Sequence, residues 1–219
     1  MYRTENLYDL DHTIAKEYLK KYEYPWEALP EIKNFIKDLI ADLDKNEYQE
    51  IKENVWIHKS VSVAPTAELN GPCIIGPDSE IRQCAYIRGN AIIGSGVVIG
   101  NSCEVKNAII FDKSQVPHFN YVGDSILGYH AHMGAGSIVS NLKSDGKDVT
   151  IRDGEVKVET HLRKFGAMIG DNVEVGCNSV LNPGTVIGKN SNVYPLARVR
   201  GLVPENSIYK DEDNIVEKR

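Results

Sequence analysis

Large aliphatic residues recur at every sixth position over much of the chain: Ile57, Val63, Leu69, Ile75, Ile81, Ile87, Ile93, Ile99 and Val105, with Phe111 continuing the series. The same register returns at Ile169, Val175, Leu181, Ile187, Val193 and Val199. Two residues before each stands a small or β-branched side chain, as in Ala67, Cys73, Ser79, Ala85, Ala91, Val97, Cys103 and Ile109. A period of six matches neither the 3.6 of a helix nor a plain two-residue alternation closed by hairpins. It suits a coil with three flat sides, each side one short strand and each corner one tight bend. The aliphatic residue fills the interior and the small residue leaves room for the bend. Turn-forming residues follow the aliphatic position in Gly76-Pro77-Asp78, Gly94-Ser95-Gly96, Gly170-Asp171-Asn172 and Gly188-Lys189-Asn190.

Three hexads make one rung, and rungs stack as parallel strands about 4.8 Å apart. Roughly twenty hexads make about seven rungs and a prism ~33 Å tall. The chain is therefore expected to be an all-β solenoid, a parallel β-helix of hexapeptide repeats over 55–205. Residues 1–54 have a different pattern. Ile32, Phe35, Ile36, Leu39, Ile40 and Leu43 fall at helical spacing, which predicts an amphipathic helix over 31–44, and a second helix is expected over 12–22. Residues 148–164 read as an inserted hairpin, Val149 and Ile151 paired with Val156 and Val158 across Asp153-Gly154. Residues 206–219 are expected to form a tail.

The rhythm is interrupted once, between Val122 and Leu127, where the step is five residues; the change of phase is expected within 116–124, beginning at Pro117. A local irregularity in a regular solenoid is where chemistry is to be sought. Composition narrows that chemistry. The formal net charge of −6, with no long basic run, argues against a nucleic-acid backbone as partner. No apolar stretch nears the ~20 residues that span a membrane, and without a signal-peptide pattern a cytoplasmic location is the default. Of four cysteines, Cys73 and Cys103 take the small interior position and read as buried apolar groups. Asp9-Leu10-Asp11-His12-Thr13 mimics the nucleophile motif of haloacid-dehalogenase phosphatases, but only about 40 residues follow before the solenoid, too few for the domain that motif needs.

The interrupted stretch, Val116-Pro117-His118-Phe119-Asn120-Tyr121-Val122-Gly123-Asp124, resembles the HLTYLGD motif in the acetyltransferase domain of the bifunctional N-acetylglucosamine-1-phosphate uridyltransferase/glucosamine-1-phosphate acetyltransferase family. Met133-Gly134-Ala135-Gly136-Ser137-Ile138-Val139-Ser140-Asn141 resembles that family's IGAGTITCN. The resemblance covers about 55–205 and implies a left-handed coil, typically a homotrimer with sites between subunits. It implies an acetyl-CoA-dependent acetyltransferase acting on an amino-sugar 1-phosphate, with His118 as general base and no metal required. It implies substrate contacts at Arg88, Lys106, Tyr121, His132 and Asn141, and acetyl-CoA contacts at Ala135, Lys147, Cys177 and Pro195. His132, Asn120, Cys177 and Pro195 depart from the residue the family carries. Arg88 and Lys106 are one 18-residue rung apart, so two cations are expected to stack on one side of the prism, where a phosphate is a natural counter-charge. Tyr24-Pro25-Trp26-Glu27-Ala28-Leu29 resembles the stretch that ends the nucleotidyltransferase domain in bifunctional sugar-1-phosphate enzymes. The Gly-rich nucleotide loop of such a domain is absent, so pyrophosphorylase activity is not expected.

Three alternatives remain from the residues. His118, His130 and His132 lie close in sequence, as in a zinc enzyme, although they match no known ligand spacing and leave Arg88 and Lys106 unexplained. The same scaffold could acylate a hydroxyl or another sugar, or bind a sugar nucleotide without catalysis.

Overall fold

The structure is a computed structural model that describes residues 1–218. The hexad rhythm folds into a left-handed parallel β-helix with three faces. The first face stacks Val55–His58, Cys73–Ile75, Ala91–Ile93, the end of Glu104–Ile110, the end of Tyr121–Leu127, Ala167–Ile169, Thr185–Ile187 and Leu202–Val203. The second stacks Ser62–Val63 up to Asn192–Val193 and Ser207–Asp211. The third runs from Glu68–Leu69 through the starts of Glu104–Ile110 and Tyr121–Leu127 to Arg198–Val199. Residues 207–217, expected as a tail, instead extend the second face through an antiparallel pair with Asn214–Glu217.

The interior follows the two-position rule. Ile75, Ile87, Ile93, Ile99, Val105, Leu181 and Ile187 are fully buried, as are the small partners Cys73, Ala91, Val97, Ser179 and Thr185. Burial pushes the Cys73 thiol up to about 12.

The change of phase begins earlier than predicted. Phe111 and Ile109 do not point inward; Ala108 and Ile110 do. The inner ladder runs Val105, Ile110, Val116, Val122, Leu127, Met133, Val139, so five-residue steps occur twice, one rung apart. Rungs pair at 18 residues below this point (Ile87 with Val105) and at 17 within it (Val105 with Val122). The cause is local. The full-length bend Arg88-Gly89-Asn90 between the third and first faces has two left-handed residues, Gly89 at φ +95° and Asn90 at φ +51°; the two contracted bends above it have one each, Asn107 at φ +46° and Asp124 at φ +50°. Asparagine and aspartate tolerate that conformation better than other residues bearing a Cβ. Pro117 is no interruption, since it packs at the bend beside Gly100.

The outward residues of the first face form a second apolar stripe, Ile74, Ile92, Ile109, Ile126, Met168 and Val186, each at most 1 % exposed. They are covered by the N-terminal segment and the insertion in one cluster with Leu7, Tyr8, Leu19, Trp26, Leu29, Ile32, Ile36, Phe111, Ile151 and Phe165. The predicted helix over 31–44 is Ile32–Asp42. The one expected over 12–22 is reduced to a turn, Lys16–Leu19, and the Tyr24-to-Leu29 motif is a 3-10 helix, Pro25–Glu31. Tyr48–Lys52 adds an antiparallel strand to the first face. Within the insertion Thr150–Asp153 pairs antiparallel with Val156–Glu159; Ile151 lies opposite Val158, whereas Val156 faces Asp153 and Val149 precedes the paired strand. Among the described residues no helix is long and apolar enough to cross a membrane.

Candidate functional site

Two groups of candidate side chains lie at the two edges of the third face. At its far edge, where the chain bends back to the first face, Arg88 and Lys106 occupy consecutive rungs: Ile87 pairs with Val105 and the Arg88 N–H donates to the Val105 carbonyl at 2.8 Å. Neither cation is free. Arg88 Nη1 pairs with Glu104 Oε1 at 2.7 Å near the surface, and Lys106 Nζ with Asp124 Oδ2 at 3.2 Å in a less exposed setting. Asn141, one rung on, donates from Nδ2 to the Tyr121 hydroxyl at 3.2 Å and to Asp124 Oδ2. Lys106, Tyr121 and Asn141 therefore meet, with Arg88 a rung below. Burial, with the negative charges of Asp124 and Glu104, raises the Tyr121 phenol above its ordinary value, so it stays a neutral hydroxyl. The reading of the sequence missed Asp124. Its signal was the second five-residue step, which falls on this bend.

The N-terminal segment buttresses this corner. Asn107 Nδ2 donates to the Leu29 carbonyl at 3.3 Å and to Asp124 Oδ1 at 2.9 Å. The insertion starts here too: the Phe165 N–H closes its base onto the Asn141 carbonyl at 3.0 Å. Between the insertion and the prism lies a cleft of about 420 Å³ lined by Ser140, Lys143, Ser144, Asn182 and Arg200, with Thr150 from the hairpin. Lys147 lies on this exposed loop, away from the other residues expected along the coenzyme path.

The near edge carries those others. The Gly136 N–H donates to the His118 carbonyl, the Asn178 N–H to the Ala135 carbonyl, and the Leu196 N–H to the Cys177 carbonyl, so His118, Ala135, Cys177 and Pro195 form one ascending column. The exposed His118 ring makes no hydrogen bond among the described residues. Its backbone is held instead: its N–H donates to Asn120 Oδ1 at 3.0 Å, and buried Asn120 donates to the Gly134 and Ser137 carbonyls. Asn120 thus fills the small interior position and ties the His118 bend to the next rung. In the turn above, the Gly134 and Gly136 N–H groups are spent on Val175 and His118, whereas that of Ala135 has no acceptor among the described residues.

His132 joins neither group. It stands in mid-strand on the second face, between Gln115 and Glu174, with Nδ1 at 2.7 Å from Glu174 Oε2. His130 sits at the opposite bend, its N–H on the Asp112 carbonyl, so His118, His130 and His132 spread across the second face. Among the described residues no three His, Cys, Asp or Glu side chains are grouped to hold a metal.

Residues 166–201 match the family described as bacterial transferase hexapeptide (six repeats). The chain is a hexapeptide-repeat protein. Residues 69–162 of this hexapeptide-repeat protein also match the family described as GMPPB C-terminal domain. It is 36 % identical over 198 residues to the bifunctional protein GlmU of Methanococcus vannielii, covering 89 % of this chain and 48 % of the relative. It is 31 % identical over 221 residues to a bifunctional sugar-1-phosphate nucleotidylyltransferase/acetyltransferase of Sulfurisphaera tokodaii, covering 94 % and 53 %. The chain spans about half the length of these curated relatives. Among solved structures, the acetyltransferase domain of PglB from Neisseria gonorrhoeae FA1090 with acetyl coenzyme A aligns over 85 % of this chain and 67 % of that one, at 13 % identity and a TM-score of 0.34, too weak a likeness to carry an argument.

Proposed function

We propose that this protein transfers an acetyl group from acetyl-CoA to the amine of an amino-sugar 1-phosphate. The observation that carries the reading is the convergence of Lys106, Tyr121 and Asn141 on one corner, with Arg88 stacked beside them. Cations beside hydroxyl and amide donors suit a phosphate and a sugar ring. The relatives are named for sugar-1-phosphate nucleotidylyl and acetyl transfer, which supports the same class.

In this mechanism the acceptor amine, protonated in water near neutral pH, must lose a proton to become nucleophilic. Imidazole, with an ordinary pKa of about 6.5, is suited to take it, and His118 is the base. The amine nitrogen attacks the thioester carbonyl carbon; the C–N bond forms, the second proton of the now cationic nitrogen passes to solvent, the C–S bond breaks, and the thiolate of coenzyme A leaves with the first proton returned by the imidazolium. The unengaged Ala135 N–H is the oxyanion donor. Ala135, Cys177 and Pro195 would line the coenzyme, with Lys147 reaching its polar end. No step requires a metal.

The His118 column and the Lys106 corner are separated within one chain by the width of the third face, roughly four residues or ~13 Å of extended chain. A site that uses both is completed between subunits of a cyclic homotrimer, in which the column of one subunit faces the corner of the next. Phe119 and Leu196, 62 % and 79 % exposed beside the column, supply an apolar surface for such a contact. The deciding experiment is release of free coenzyme A from acetyl-CoA with glucosamine 1-phosphate and a panel of amino-sugar and sugar phosphates, alongside light scattering. Turnover with a hydroxyl acceptor alone would move the reading to O-acylation. Binding without turnover would favour a non-catalytic sugar-nucleotide-binding relative.

A further inference from the structure

Asp124 joins three rungs. Its Oδ2 accepts from Lys106 Nζ at 3.2 Å and from Asn141 Nδ2, and its Oδ1 accepts from Asn107 Nδ2 at 2.9 Å. Lys106 and Asn107 come from the rung below and Asn141 from the rung above. The side chain is 7 % exposed. Its backbone is fixed as well, in the left-handed bend and through its carbonyl, which accepts from the Gly166 N–H at 2.8 Å. A carboxylate so withdrawn from water is costly unless its lone pairs are answered, and here one ammonium and two amides answer them.

We propose that Asp124 is the positioning residue of the acceptor site: it holds the Lys106 ammonium and the Asn141 amide where they meet the anionic group and the ring of an amino-sugar phosphate. This rests on the acceptor reading above. Two effects of the carboxylate oppose each other. Its charge partly cancels that of Lys106, which weakens attraction to a phosphate. Its grip removes the freedom of a four-carbon stem and of an amide that would otherwise swing, which strengthens binding by preorganisation. The carboxylate is the more deeply buried partner, 7 % exposed against 19 % for the Lys106 side chain. The opposing charge is thus the more remote one, and alignment dominates.

The test is Asp124→Asn, which keeps the shape and removes the charge, read in four ways: thermal melting, the 15N ammonium resonance of Lys106 (assigned with Lys106→Arg), the Kd for inorganic phosphate by calorimetry, and KM against kcat for glucosamine 1-phosphate. Asp124→Asn is expected to shift or broaden the Lys106 resonance, and to raise Kd and KM about 10–100-fold with a much smaller change in kcat, the size expected of a misplaced binding group. Equal or tighter phosphate binding by the folded Asn variant overturns the proposal, because charge removal alone predicts that result. If wild-type protein acetylates no amino-sugar phosphate, the acceptor reading fails, and the Lys106 resonance still decides whether Asp124 positions it: no change in Asp124→Asn refutes the role. Should that variant not fold, Asp124→Glu keeps the charge and displaces it by one methylene. It is expected to move the resonance and raise Kd about tenfold, and no change in either overturns the proposal.

Discussion

Gly100→Ala separates the position of His118 from the stability of the coil. A Cβ built on Gly100 would lie 1.6 Å from the Pro117 carbonyl oxygen and 2.5 Å from its Cα. Ordinary van der Waals contact begins at 3.4 Å, so the Pro117 peptide, which leads directly into His118, must move by ~1.8 Å. Overpacking of this kind costs about 1–3 kcal/mol, and a 1 Å misplacement of a reacting group costs ~10² in rate. Gly94→Ala is the matched control. It crowds the Asp112 backbone N at 2.7 Å at the bend between the first and second faces, away from His118. Both variants should lose comparable stability in urea unfolding. Gly100→Ala should lose at least ~100-fold in kcat per folded protein, whereas Gly94→Ala should stay near wild type. Equal activity of the two at equal stability would refute the link between this bend and the chemistry.

The remaining predictions concern the base, the covered face and pH. His118→Ala should lower turnover by about 10²–10⁴ with little change in melting, since the ring is exposed and makes no hydrogen bond among the described residues; retention of most of the activity would remove it as the base. Ile109→Ala, in the stripe beneath the N-terminal segment, should cost about 2–5 kcal/mol in denaturant unfolding, while a loss below about 1 kcal/mol would mean that the segment does not stay docked. Alkaline pH should destabilise the fold through Cys73. Its folded thiol titrates near 12 against an ordinary value of 9.0, so the unfolded chain releases the proton first and stability falls by ~1.4 kcal/mol per pH unit between those values. The slope, measured from urea midpoints between pH 9 and 10.5, should lessen in Cys73→Ala.

Much of this was legible from residue order alone. The hexads identify the interior of every regular rung, and Cys177 and Pro195, 18 residues apart, fall in one column by rung length; Ala135 lies 42 residues before Cys177, across the insertion, and only the stacked rungs place it in that column. The registry failed at Phe111 because Ile109, Ile110 and Phe111 are three consecutive apolar residues. Any of them could face inward, and only the covering segment makes burial available to two of them outside the prism. His132 was grouped with the acceptor contacts by resemblance, yet its strand position turns it to the second face, where Glu174 is its neighbour.

The division has a physical origin. A six-residue period is a local property: each strand alternates in and out and each bend needs its own small or left-handed residue, so interior and exterior can be assigned without knowing what lies above or below. The corner that gathers Lys106, Asn107, Asp124 and Asn141 is not local, because these residues come from three successive turns of the coil. Their meeting depends on two bends each being one residue short, on Leu29 reaching across from the N-terminal segment, and on a buried charge finding partners above and below it. Those conditions exist only once the rungs have stacked.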